Sequence, residues 1–193
     1  MFSIRIHGRG GQGAVTAAEV LSVAAFDDGL HAQAFPTFGS ERTGAPVVAF
    51  CRIDEVPIRI HEPIADPDAV LIADPTLLHQ VKVFEGVGPD AYVLVNTSRS
   101  LDGLGIGSVV DRLRPGRVAS LPATEIAREH LGRPLPNIPL LGGFAALTGV
   151  VSIDSVVGAI EKRFTGPTAS GNVAAARYAF EFVLHGKRSL ADA

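Results

Sequence analysis

The chain alternates between two hydrophobic periods. Short apolar runs at residues 4–7, 31–35, 46–53, 69–73, 92–95 and 118–121 read as strands. Several of the stretches between them carry apolar residues every third or fourth position, the period of a helix packed on one face. After the first strand, Gly8-Arg9-Gly10-Gly11-Gln12-Gly13 makes a tight turn into a helix running to about Asp28. Ala14, Ala18, Leu21 and Ala25, with Ala17 and Ala24 beside them, share one face of it, and Gly29 is the expected stop. Beyond the 46–53 run and the turn at Asp54-Glu55, Pro57-Ile58-Arg59-Ile60 is expected to fold back as a hairpin.

The runs 69–73 and 92–95 are apolar throughout, as in strands buried on both faces of a parallel sheet. One ends in Asp74-Pro75 and the other in Asn96-Thr97-Ser98, so their carboxyl ends define a polar edge of the kind where open α/β sheets bind ligands. A helix is expected at 123–131, closed by Gly132, and the proline-stiffened stretch 134–139 leads into a helix at 140–148 that is apolar all round. Ser152 reads as the cap of a helix with Ile153, Val156, Val157, Ile160 and Phe164 in one stripe, stopped by Gly166-Pro167. Asn172 reads as the cap of a last helix, with Val173, Ala176, Phe180 and Val183 inward. No repeat, low-complexity tract or linker interrupts the series. The expectation is α/β: one domain over residues 1–193, a Rossmann-like doubly wound, mostly parallel sheet with flanking helices.

Composition narrows the functional classes. The 193 residues are 47% hydrophobic and 19% charged, with a formal net charge of -3. The lysines and arginines are scattered, which argues against nucleic acid as a partner. The amino terminus lacks the layout of a signal peptide, and no stretch approaches the ~18 uncharged apolar residues of a bilayer span. A cytoplasmic location, away from the membrane, is expected. Cys51 is the single cysteine, so this chain alone can hold neither an iron-sulfur cluster nor a structural zinc. The six histidines are dispersed without ligand spacing, and no metal site is expected. Ser98, Ser100 and Ser108 lack the glycine-flanked elbow of a hydrolase nucleophile.

Gly8, Gly10 and Gly13 fit G-x-G-x-x-G between a strand and a helix. There the first glycine permits the turn, the second admits a phosphate to the backbone, and the third lets helix and strand pack closely. A tight turn needing glycines for its own sake explains the same pattern. A free-standing nicotinamide-dependent oxidoreductase needs in addition an acid at the end of the second strand to hold the ribose hydroxyls. Residues 31–35 end without one; Asp27 and Asp28 come too early and Glu41 too late.

Together, Gly8-Arg9-Gly10-Gly11-Gln12-Gly13, the run from Ala32 through Phe38-Gly39-Ser40-Glu41-Arg42, and Gly44-Ala45-Pro46-Val47 closely resemble the gamma subunit of the 2-oxoacid:ferredoxin oxidoreductases, the pyruvate:ferredoxin group. Asp74-Pro75-Thr76-Leu77-Leu78 and the stretch from Asn137 to Phe144 are similar to later motifs of that family. The resemblance implies a complex that converts a 2-oxo acid and coenzyme A to acyl-CoA and carbon dioxide while reducing ferredoxin. It implies thiamine diphosphate, Mg2+ and [4Fe-4S] clusters held by other chains: thiamine-binding alpha and beta subunits and a ferredoxin-like subunit. The gamma subunit is associated with coenzyme A access and supplies no catalytic residue of its own.

Candidate residues follow from both readings. Gly8, Arg9, Gly10, Gly11, Gln12 and Gly13 are the expected cofactor-facing loop. Arg9 is able to pair with a phosphate or with a neighbouring carboxylate, and Gln12 with a ligand or the loop backbone. Phe38, Gly39, Ser40, Glu41 and Arg42 are the expected contact with another subunit or a closing lid, as against a solvated loop. Asp74, Asn96 and Asn137 either orient a ligand or serve turns and caps. A scaffold subunit with no ligand, its glycine loop merely packed on a partner, stays open beside these readings.

Overall fold

The computed structural model describes residues 1–37 and 43–191. The elements run β1 (Phe2–Arg9), α1 (Ala14–Asp27), β2 (His31–Pro36), β3 (Pro46–Asp54), β4 (Ala69–Ile72), β5 (Tyr92–Asn96), α2 (Gly107–Val110), β6 (Val118–Leu121), α3 (Ala123–Leu131), α4 (Asn137–Thr148), α5 (Ile153–Arg163) and α6 (Gly166–Ala191). Two 3-10 turns, Pro75–His79 and Asp102–Leu104, lie between β4 and α2. The strands form one sheet in the order β2-β3-β1-β4-β5-β6. Pairings β1–β4, β4–β5 and β5–β6 are parallel, and β3 alone runs against the rest, antiparallel to both β1 and β2.

Side-chain alternation along the strands assigns the faces. Ile4 and Ile6 of β1, Ala49, Cys51 and Ile53 of β3, and Leu71 of β4 share one core with α1, α3, α4, α5 and α6. On the other face Val70, Ile72, Val93 and Val95 pack with Leu77, Ile106 and Leu113 under the 3-10 turns and α2. Helical cover is therefore two-sided but unequal. Where β1 and β3 lack a helix on that second face, they bury Arg5 and Arg52 instead. The Arg5 guanidinium donates to the carbonyls of Val83 (3.0 Å), Ala65 (3.4 Å) and Glu85. Arg52 donates to the carbonyls of Ile60 (3.4 Å) and Glu62 and stacks over Phe35. Irregular backbone needs donors for its carbonyls when buried, and these two arginines supply them.

Three expectations change. Pro57-Ile58-Arg59-Ile60 makes no hairpin, because β3 is already paired on both sides by β1 and β2 and has no free edge. α4 begins at Asn137 rather than after Pro139; a proline in the first turn removes only an N–H that has no helical partner. α6 begins at Gly166, so Gly166-Pro167 starts a helix where a stop was expected, with Pro167 in the first turn, where its missing N–H has no helical partner to lose. Asn172 accordingly caps nothing; its Nδ2 donates to the Thr168 carbonyl one turn back at 2.9 Å. α4 and α6 pack so closely that a Cβ at Gly142 would lie 2.0 Å from the Ala176 carbonyl oxygen. Among the described residues no helix is long and apolar enough to cross a membrane.

Candidate functional site

β1 runs on through Arg9 before the chain turns, and the turn is held from two directions. The Gly10 amide donates to the Ala45 carbonyl at 2.9 Å, and the Gly44 amide donates to the Gly10 carbonyl at 3.0 Å, joining the loop to the start of β3. The Gln12 amide donates to the Arg9 carbonyl, and the Gln12 Oε1 accepts from the Arg9 amide at 2.8 Å. Gly11 and Gly13 have φ of 95° and 76°, a left-handed backbone that favours glycine. Gly13 caps α1 without a side-chain hydrogen bond, and the first turn of α1 holds no acid. The amino end of this helix thus has neither a side-chain cap nor a first-turn carboxylate to offset its partial positive charge.

A polar clamp stands beside the loop. Arg9 Nε donates to Asp74 Oδ2 at 3.0 Å, Nη1 to the Gly44 carbonyl at 3.0 Å, and Nη2 to Thr76 Oγ1 at 2.6 Å and Gln80 Oε1 at 2.8 Å. Gln12 Nε2 donates to the same Asp74 oxygen at 3.0 Å. Asp74 Oδ1 accepts from the amide and hydroxyl of Thr76, an Asx turn that starts the 3-10 segment. Burial pushes the Asp74 carboxyl up, but the Thr76 and Gln12 hydrogen bonds and the Arg9 charge together hold it below the ordinary aspartate value. The clamp locks the carboxyl ends of the neighbouring strands β1 and β4 to each other.

On the helix side of the loop lies a cavity of about 510 Å3, bounded by Gly11, Gly13, Thr16, Asn137, Arg133 and Arg163 among others. The amino ends of α1, α4 and α6 all open on it. Asn137 is 7% exposed, yet among the described residues its amide has no hydrogen-bond partner. Its Nδ2 sits so near Gly13 that a Cβ there would lie 2.5 Å away. An amide offers both donors and an acceptor, so this side chain, seated in the space that Gly13 leaves open, presents unspent polar capacity to the cavity. A cavity of about 270 Å3 on the far side of the loop, toward Val47, shares Gly11 and Gly13 with it.

The structure thus brings together the glycine loop, Asp74 and Asn137. Asn96 lies elsewhere: its Nδ2 donates to the Ala73 carbonyl (2.7 Å) and Thr124 Oγ1 (2.8 Å), while its Oδ1 accepts from the Thr124 amide. Phe38, Gly39, Ser40, Glu41 and Arg42 lie outside the described residues. Thr16, Thr76, Arg133 and Arg163 were not anticipated. The Asp74-Pro75-Thr76 turn signal could have pointed to Thr76; the two arginines have no local signature, since only folding brings them to the loop. Cys51 is fully buried, which pushes its thiol up to about 12. Among the described residues no three His, Cys, Asp or Glu side chains group as a metal site.

A mostly parallel six-stranded sheet flanked by helices, with a glycine turn at the amino end of its first helix and a cavity bounded by Asn137 beside it, defines a Rossmann-like α/β fold. The chain belongs to the pyruvate ferredoxin/flavodoxin oxidoreductase family, which residues 3–182 match, and is a gamma-type subunit of it. It is 50% identical over 183 residues to the common gamma subunit of the pyruvate/ketoisovalerate oxidoreductases of Pyrococcus abyssi, covering 94% of this chain and 96% of the relative. The crystal structure of the pyruvate oxidoreductase subunit PORC of Thermotoga maritima superposes with a TM-score of 0.78 at 36% identity, covering 93% of this chain and 95% of that one. The 2-oxoglutarate:ferredoxin oxidoreductase of Magnetococcus marinus, with 2-oxoglutarate, coenzyme A and succinyl-CoA bound, shares the fold at a TM-score of 0.68 and 18% identity; the match covers 99% of this chain and 31% of that one.

Proposed function

We propose that this chain is the coenzyme A-facing gamma subunit, a single domain, of a complex that oxidatively decarboxylates a 2-oxo acid such as pyruvate and reduces ferredoxin. Its partners are thiamine-binding alpha and beta subunits and a ferredoxin-like subunit. Those chains carry the thiamine diphosphate, Mg2+ and [4Fe-4S] clusters, for a lone thiol raised to about 12 is a poor cluster ligand. Coenzyme A supplies the thiol that accepts the acyl group.

This chain's own residues fit a nucleotide-bearing ligand at the loop. The observation that carries the reading is Asn137, buried and unpartnered among the described residues, over Gly13. Its amide suits hydrogen-bonded recognition of a base or phosphate, and the α1, α4 and α6 amino ends favour an anion in the same cavity. Arg9, with four donor contacts to the protein, acts by holding the loop in shape. Residues Phe38 to Arg42 serve as the subunit contact in this proposal. The nicotinamide reading is disfavoured by topology. β3 lies between β1 and β2, so the end of β2 stands two strand spacings, roughly 10 Å, from the strand that feeds the loop.

The test uses the assembled complex carrying Asn137→Ala. The expected result is a KM for coenzyme A raised about tenfold, the effect of removing one buried hydrogen-bonding group, with the KM for the 2-oxo acid unchanged. An unchanged KM for coenzyme A with weakened assembly would identify a ligand-free scaffold and overturn the proposal.

A further inference from the structure

A second cavity, of about 440 Å3, opens at the carboxyl edge of β4 and β5 and shares no lining residue with the cavity at Asn137. Its floor is rigid. Asn96 is only 6% exposed and is fixed by Ala73 and Thr124, and Thr97 is only 8% exposed, with its hydroxyl oxygen accepting the Arg99 amide at 3.0 Å.

Counting donors against acceptors shows what the floor lacks. Thr97 Oγ1 is taken as an acceptor by Arg99, and Thr124 Oγ1 by Asn96. Among the described residues neither hydroxyl hydrogen has an acceptor, so both are free to donate into the cavity. Arg99 and Arg128 line the same walls. Most of the described arginines pair with a carboxylate, a carbonyl or an aromatic ring; the side chains of these two have no described partner. Glu125 is the only carboxylate among the lining residues, and it forms no ion pair with either arginine among the described residues. Two guanidiniums and two hydroxyls with unspent hydrogens lining a cavity of small-ligand size call for a compact dianion.

We propose that this cavity binds the phosphate group of a small phosphomonoester, with Arg99 and Arg128 as its charge partners and Thr97 and Thr124 as fixed donors. The site is separate from the one proposed for coenzyme A, and the fate of either reading leaves the other standing.

The test is a titration of the full chain with inorganic phosphate and with ribose 5-phosphate, followed through the backbone amide resonances of Thr97, Arg99 and Thr124. Saturable shifts at those amides are expected. Arg99→Gln with Arg128→Gln is expected to weaken binding by about a hundredfold, roughly tenfold for each guanidinium–phosphate hydrogen bond removed. Thr124→Val, nearly isosteric, is expected to weaken it about tenfold while leaving the unfolding midpoint within a few degrees. Acetate at the same concentrations is expected to give no saturation. Prior saturation with coenzyme A is expected to leave the phosphate titration unchanged, and competition between the two would merge the sites and overturn the proposal. Absence of saturable shifts, equal binding of acetate, or indifference to the double substitution would each overturn it as well.

Discussion

The side-chain amide nitrogen of Asn137 lies 2.5 Å from where a Cβ on Gly13 would be, closer than two such atoms can approach. Gly13 is therefore required twice, once for its φ of 76° and once for the space its missing side chain leaves to the asparagine. Gly29 provides the comparison, having φ 81° but no atom within 4 Å of an added Cβ. Gly29→Ala should cost only the left-handed backbone penalty of about 1 kcal/mol. Gly13→Ala should cost more, about 3 kcal/mol, because Asn137 is driven out of place as well. Urea unfolding measures both. Calorimetric titration of coenzyme A should show binding lost in Gly13→Ala and intact in Gly29→Ala; equal effects of the two would sever Asn137 from the site.

The strands, the glycine turn and α3 were legible because each is a local pattern: a short β-branched run, a Gly-rich stretch after it, a helix closed by Gly132. What was not legible is long-range. Nothing near Pro57 reveals that β3 is paired on both edges, and a Gly-Pro pair serves equally as helix stop or helix start. The burial of Arg5 and Arg52 has no local signature, since a period of two cannot tell water from a polar cover of backbone carbonyls. The candidate site was half visible. Its loop and Asn137 came from motifs, whereas the meeting of three helix ends with Arg133 and Arg163 depends on packing between segments more than a hundred residues apart in the chain.

Asp74 and Arg9 make a testable clamp between β1 and β4. With its carboxyl held below the ordinary aspartate value, Asp74 adds stability that is complete above the unfolded-state value and is lost as the pH falls through the lower folded-state value. Stability should decline in acid, with a part of that decline absent in Asp74→Asn. At neutral pH Asp74→Asn should lose about 3 kcal/mol, since Arg9 and Gln12 keep an acceptor but the charge is gone and the Thr76 turn weakens. Guanidinium unfolding at neutral and acid pH checks both points, and a substitution effect that grows in acid would contradict the assignment.

His7 supplies a second pH dependence at a higher range. It lies on β1 between Val48 and Ile72 and is 5% exposed, with both ring nitrogens buried and without partners among the described residues. Burial first, and the charge of Arg5 second, bring it down from 6.5 to about 4. The unfolded chain takes up a proton on this residue below about pH 6.5 while the folded chain does not until near pH 4, so folding loses stability across that window as the pH falls. The loss amounts to about 3 kcal/mol at the lower end. His7→Leu should remove this step, leaving the urea midpoint nearly level between pH 6.5 and 4.5. A wild-type midpoint already level there would show His7 to be charged or hydrated in the fold.

Gly142 and Gly143 are adjacent in α4 yet face different kinds of neighbour, and Ala substitution separates them. A Cβ at Gly142 would meet backbone, the Ala176 carbonyl carbon and oxygen of α6 at 2.8 and 2.0 Å, which yields only if the two helices move apart. At Gly143 the nearest atoms are methyl groups, Leu121 Cδ2 at 2.8 Å and Leu94 Cδ2 at 3.2 Å, which are free to rotate away. Alanine also gains about 1 kcal/mol of helix propensity over glycine at either position. For Gly143→Ala that gain should offset most of the packing strain, giving a net change within about 1 kcal/mol. For Gly142→Ala the separation of α4 from α6 should dominate and cost more than about 3 kcal/mol, lowering the melting temperature by roughly 10 °C. Because α4 and α6 carry Asn137 and Thr168 at their amino ends, the same substitution should also loosen the cavity beside the glycine loop. Coenzyme A titration at a temperature where Gly142→Ala is still folded should reveal weaker binding, and full affinity there would mean that the helix ends are held to the loop independently of their packing along the core.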